Sequence, residues 1–109
     1  MKRFVKSSEV PAYESPTSEH RRFKLFIERD ISGTKAVSCG EFILPPKAAQ
    51  PKAKAFPETE KIFYVLSGRG ILAIDGMDHE IEQGMALYVA PGEAHAFANT
   101  GSDELRLLW

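Results

Sequence analysis

Cysteine is almost missing from this chain. Cys39 stands alone among 109 residues, which excludes an intramolecular disulfide and fits a reducing compartment. Long apolar runs are missing too. Met1-Lys2-Arg3-Phe4-Val5 leads straight into Lys6, Ser7, Ser8 and Glu9, so no signal-peptide core is present, and no stretch is apolar for long enough to span a bilayer. The expectation is a cytoplasmic protein with no membrane partner. Neither sign of charge dominates: 14 Lys and Arg against 15 Asp and Glu leave a formal net charge of -1, without blocks of like charge, and nothing recommends a nucleic acid as partner. What is there is ordinary for a globular chain, with 43% hydrophobic and 27% charged residues. The length predicts one domain over residues 1–109. Residues 1–19, polar and broken by Pro11 and Pro16, read as an N-terminal arm with a short edge strand near Phe4 and Val5.

Beyond the arm the pattern is one of strands. Phe23, Leu25 and Ile27 alternate with Arg22, Lys24, Phe26 and Glu28, the period of a strand with one buried face. Ile31 to Thr34 reads as a turn, Ala36 to Leu44 as a strand stopped by Pro45-Pro46, and Lys47 to Pro57 as a loop without periodicity. Short strands then follow at 62–66, 71–74, 79–82, 87–89, 95–98 and 105–109, separated by Ser67-Gly68, Asp75-Gly76, Gln83-Gly84, Pro91-Gly92 and Asn99-Thr100-Gly101. Asp-Gly between apolar runs is a hairpin signal. No helix is expected beyond a single turn around Pro57–Glu60. Such spacing means an antiparallel all-β barrel or sandwich. Ile62-Phe63-Tyr64-Val65-Leu66 does not alternate, so both its faces need covering. A second subunit or the N-terminal arm would do this, and we expect a homodimer.

Two segments carry a family resemblance. Glu60-Lys61-Ile62-Phe63-Tyr64-Val65-Leu66-Ser67-Gly68-Arg69-Gly70 and Ala90-Pro91-Gly92-Glu93-Ala94-His95-Ala96-Phe97-Ala98-Asn99 resemble the two signature motifs of the cupins, in particular small single-domain RmlC-like members. The likeness runs from about residue 36 to 108 and implies an antiparallel double-stranded β-helix, or jelly-roll barrel. In the second motif Gly84, Gly92, His95 and Asn99 fall at the family's spacing, while the usual proline position holds Ala90 and Pro91 is displaced by one. The first motif departs at the metal ligands that the family supplies. Lys61 takes the glutamate position, and the two histidine positions fall on Lys54 and Phe56, or on Ala55 and Pro57 in the shorter spacing. Pro57 after Phe56 favours the first alignment.

Of the four ligands the resemblance implies, His95 alone remains. A single imidazole beside an ammonium holds a divalent metal poorly, so no metal and no cofactor are expected at that site. Strand alternation sends Glu60 to the face opposite Lys61, and only a bulge would make it a ligand. His95 is the candidate acid or base, against a merely structural histidine. Lys54 and Lys61, if they face inward, suit a carboxylate or phosphate. Schiff-base chemistry at a desolvated lysine is the less favoured reading, and snorkelling to the barrel mouth is the structural alternative. Phe56, Phe63 and Phe97 would pack the apolar body of a small-molecule ligand, or simply fill the barrel. Tyr64 and Tyr88 should face outward into an interface. Cys39 reads as a small buried hydrophobe, and His20 and His79 as surface residues. The leading expectation is a barrel that binds a small organic anion. The alternatives are a metal-independent isomerase or epimerase using His95, and a metal-dependent enzyme with a ligand set drawn from His95, Glu60 and Glu58.

Overall fold

The computed structural model describes residues 1–14 and 21–109; His20, expected at the surface, lies outside the described residues. Among the described residues nine strands form two sheets, and every pairing is antiparallel. They are β1 Tyr13–Glu14, β2 Arg22–Ile27, β3 Cys39–Leu44, β4 Lys61–Ser67, β5 Arg69–Ile74, β6 Met77–Glu82, β7 Ala86–Val89, β8 His95–Asn99 and β9 Leu105–Leu108. The larger sheet runs β1-β2-β3-β9-β4-β7 and the smaller β6-β5-β8. Their inner faces meet over a core that includes Phe42, Leu44, Val65, Leu72, Leu105 and Leu107. Each of these sits two positions from the next inward residue of its strand, as the pleat requires.

Glycine does specific work at two places in this scaffold. The β5–β6 hairpin turns through Asp75 at φ 48° and Gly76 at φ 81°, the two positive values of a type I′ turn. Asp75 also fastens the turn to the start of β8: its N–H donates to the Ala94 carbonyl at 2.8 Å, and its Oδ1 accepts from Ala94 N–H at 2.9 Å. At Gly70 the backbone of β5 passes so close to the Ala98 carbonyl of β8 that a Cβ would collide with it.

Five local expectations are corrected. The residues near Phe4 and Val5 form no strand; the arm instead makes a 3-10 turn at Ser7–Glu9 and pairs through β1. The turn expected over Ile31–Thr34 is the end of a one-turn helix, α1, at Arg29–Ser32, capped by the Glu28 carboxylate on Asp30 N–H and closed by Gly33. Pro57–Glu60 is not helical, but a turn held by Thr59 N–H on the Phe56 carbonyl at 3.4 Å. Strand β3 starts at Cys39 instead of Ala36, and β2 is half-buried at every position instead of alternating. One reason is visible in the arm, where Lys24 Nζ on the outer side of β2 donates to the Ser7 carbonyl at 2.9 Å.

Strand β4, uniformly apolar in sequence, is not uniformly buried. Phe63 and Val65 point into the core, while Ile62 and Tyr64 are 67% and 44% exposed and Leu66 lies on the same outer face. Tyr88, paired with Ile62 across β7, extends that surface. The described residues of the arm therefore leave the outer face of β4 uncovered.

Between Lys47 and Pro57 the chain follows no regular period, yet it closes the barrel. It runs along the free edge of β8, with bridges Ala49–Ala98 and Lys54–His95. Gln50 N–H donates to the Phe97 carbonyl at 2.9 Å, Phe97 N–H to Gln50 Oε1 at 2.8 Å, and Asn99 N–H to the Ala48 carbonyl at 2.8 Å. Edge groups that would otherwise be open are satisfied this way. At the far end of β8 the buried Asn99 gives its Nδ2 to the carbonyls of Leu44 and Asp103 at 2.9 and 2.8 Å, and its Oδ1 accepts from Gly101 N–H at 2.9 Å.

Candidate functional site

A cavity of about 710 Å³ opens at one end of the barrel. Three elements supply the residues singled out in the sequence. Strand β4 contributes Lys61 and Phe63 on its inward side, β8 contributes His95 and Phe97, and the edge-closing loop contributes Gln50, Lys54 and Phe56. All six residues singled out in the sequence thus line one space: Lys54, Phe56, Lys61, Phe63, His95 and Phe97. Phe63 and Phe97 are buried, whereas Phe56 is 38% exposed at the mouth.

The position of His95 follows from its backbone. Its N–H donates to the Lys54 carbonyl at 2.9 Å and its carbonyl accepts from Lys54 N–H at 3.0 Å, which fixes the first residue of β8 against the loop. Its ring then lies among Phe56, Phe63 and Phe97, with centroids 6.0, 6.0 and 6.4 Å away. His95 is 7% exposed, and its Nδ1 is buried without a hydrogen-bond partner among the described residues. Burial first, and then the positive charge of Lys61, push the imidazole below its ordinary value; the backbones of Glu93 and Lys54 act the other way. Burial thus disfavours the charged ring.

Lys61 carries its ammonium to the Phe56 ring. Its Nζ lies 3.5 Å from the centroid of the Phe56 ring, over the face where the ring quadrupole attracts a cation. It has no carboxylate partner among the described residues. Burial, and after it the nearby charges of Arg21 and Lys54, lower its pKa. Arg21 was not singled out in the sequence. Its guanidinium carbon sits 4.7 Å from the Phe23 centroid and 5.6 Å from that of Phe42, and it lines the same cavity. Arg21 immediately precedes β2, outside the strand's alternation, so no local pattern in the sequence marks it. Gln50 and Trp109 also line the space; no local pattern marks a loop amide or a terminal ring as cavity residues.

The acidic side of the site is sparse. Among the described lining residues the one carboxylate is Glu60, and its Oε1 accepts a 2.6 Å hydrogen bond from Tyr88 Oη. That bond, first among the causes, raises the tyrosine pKa. No group of three or more His, Cys, Asp and Glu side chains converges among the described residues. A divalent metal does not fit this donor set: the family's ligand positions hold two lysines and a phenylalanine, and Lys61, Lys54 and Arg21 set a repulsive field where it would bind. Away from the cavity, Cys39 is half-buried rather than fully buried, with its thiol pKa raised by burial, and His79 is exposed on β6.

Two antiparallel sheets closed into a small barrel, with a polar cluster and aromatic walls at one mouth, define a jelly-roll ligand-binding architecture. Residues 40–109 match the Cupin domain, and the chain belongs to the cupin family. It is 34% identical over 50 residues to an uncharacterised protein of Methanocaldococcus jannaschii, a match covering 46% of this chain and 40% of that protein. It is 30% identical over 82 residues to the oxalate-binding protein of Thermotoga maritima, covering 75% of this chain and 67% of the relative. The crystal structure of a predicted oxalate decarboxylase from Thermotoga maritima superposes with a TM-score of 0.82 at 27% identity, covering 96% of this chain and 94% of that one.

Proposed function

We propose that this cupin binds a small organic anion at the barrel mouth, its charge held by Lys61 and Lys54 with Arg21 beside them, and its apolar body packed against Phe56, Phe63 and Phe97. One observation carries the reading: three cationic side chains share an aromatic-walled cavity in which Glu60, the one carboxylate among the described lining residues, is already engaged by Tyr88. Charges gathered at such a place cost desolvation and mutual repulsion, which an anionic ligand relieves. The similarity to an oxalate-binding relative agrees in the sign of the ligand. Calorimetric titration with oxalate, benzoate and the neutral benzyl alcohol tests it. Both anions should bind and the alcohol should not; equal affinity for all three would refute a charge-based site.

The second reading is metal-independent isomerisation, favoured by the buried, unpartnered Nδ1 of His95. A neutral imidazole at the wall of an anion site is placed to take a proton from carbon next to a carbonyl. Deuterium uptake from solvent into a bound carbon acid, lost in His95→Gln, would support it. We further propose that the chain forms a single cupin domain with residues 1–19 as an arm, that it works in the cytoplasm, and that the uncovered β4 face carries a homodimer interface.

A further inference from the structure

Gln50 holds both backbone groups of one residue of β8. Its N–H donates to the Phe97 carbonyl at 2.9 Å, and its Oε1 accepts from Phe97 N–H at 2.8 Å. The orientation of the side-chain amide follows from chemistry, since a backbone N–H can only donate and the atom facing it must be oxygen. The nitrogen is therefore the free end. No described residue accepts a hydrogen bond from Nε2, and, unlike His95 Nδ1, this nitrogen is not sealed from solvent. Glutamate at this place would satisfy Phe97 N–H equally well. What glutamine adds is a pair of N–H donors and no negative charge, in a residue that lines the cavity shared by Lys54, Lys61 and Arg21.

Resting on the anion-binding reading above, we propose that Gln50 is the directional donor of this site: its Nε2 hydrogen-bonds a carboxylate oxygen of the bound anion and sets how that anion lies among the cations. Lysine ammoniums on flexible stems attract an anion but orient it poorly. An amide already fixed through its own backbone and its oxygen gives direction, and little further conformational freedom is lost when the ligand arrives. A carboxylate offers about four lone-pair positions on its two oxygens, room for the amide beside the charged groups.

Nitrogen–proton correlation spectra of the intact protein test this. The chain's side-chain amides are Gln50, Gln83 and Asn99 alone. On titration with oxalate the Gln50 pair should shift and its two protons separate, because one of them donates to the ligand. Gln83 is exposed, and the Asn99 donors are already on the Leu44 and Asp103 carbonyls, so both should stay in place. Gln50→Glu assigns the signal by removing it and keeps an oxygen for Phe97 N–H; its melting temperature should be nearly unchanged, while oxalate binds about tenfold to a hundredfold more weakly, the scale of one hydrogen bond to a charged group. Gln50→Met removes the donors without adding charge, and the ratio of wild-type to variant affinity should be the same at low and high salt, which separates a lost hydrogen bond from repulsion by a new carboxylate. A Gln50 pair that does not move while oxalate binds in a Lys61-dependent way, or wild-type affinity in Gln50→Met, would overturn the role of Gln50 and leave the anion site standing. If oxalate does not bind at all, both fall.

Discussion

At the scale of single residues the site is governed by how few groups stabilise its charges. Lys61 has an aromatic face and two cationic neighbours, so replacing it with neutral glutamine should cost little stability and much affinity. We expect an organic anion to bind Lys61→Gln about tenfold or more weakly, the scale of one lost charge-assisted hydrogen bond, as read by calorimetry. His95 gives a pH signature. Its folded-state value lies below its unfolded one, so as pH falls the unfolded chain takes up the proton first. The contribution to stability is complete above the ordinary imidazole range and is lost as pH falls from there through the lowered value. Anion binding should move the other way, tightening over the same interval as His95 gains charge beside the ligand. Urea midpoints and anion affinities measured across weakly acidic pH should therefore diverge in wild type and run parallel in His95→Gln. An affinity flat over that range would separate His95 from the ligand.

Among the elements, β8 and the loop against it carry most of the site. Asn99 ties the end of β8 to Leu44, Gly101 and Asp103, and Asn99→Ala orphans three backbone groups, two of them in buried bonds. The cost should be about 2–4 kcal/mol, given about 1–3 kcal/mol for each unsatisfied group with partial relaxation, seen in denaturant unfolding. Gly70→Ala should also destabilise, because the added methyl meets the backbone of Ala98 rather than a side chain that can yield. Much of this level was legible in the chain. Glycine turns and Asp75-Gly76 marked the hairpins, and the spacing from Gly84 to Asn99 placed His95 and Phe97 inward. What escaped reading did so for physical reasons. Helix α1 is a single turn, too short for a helical period, and Gly33 reads equally well as turn or cap. The loop from Lys47 to Pro57 pairs with β8 at isolated bridges, which leaves no alternation in its sequence. Arg21 precedes β2 and belongs to the site only through the cavity that it lines with residues of β4 and β8. The arm's contact with Lys24 is tertiary, and so the half-burial of β2 left no trace in its own residues.

On the scale of the whole molecule, two surfaces decide behaviour. Ile62, Tyr64, Leu66 and Tyr88 expose apolar area on the outer side of β4 and β7. A twofold copy would cover it, burying on the order of 1,000 Å² or more. We expect light scattering to report a dimer, and the double change Ile62→Lys with Tyr64→Glu to give a folded monomer; a wild-type monomer at every concentration would exclude this interface. The other surface is the cavity, and its charge is the central claim. Oxalate affinity, measured by calorimetry at low and high salt in wild type and in Lys61→Glu, tests that claim most directly. We predict binding that weakens as salt rises, because exposed Coulombic attraction is screened, and that disappears in the variant, which should gain only weak divalent-metal affinity since Lys54 and Phe56 still cannot coordinate. Full oxalate affinity retained in Lys61→Glu, or affinity indifferent to salt, would contradict a cationic ligand site at this barrel mouth.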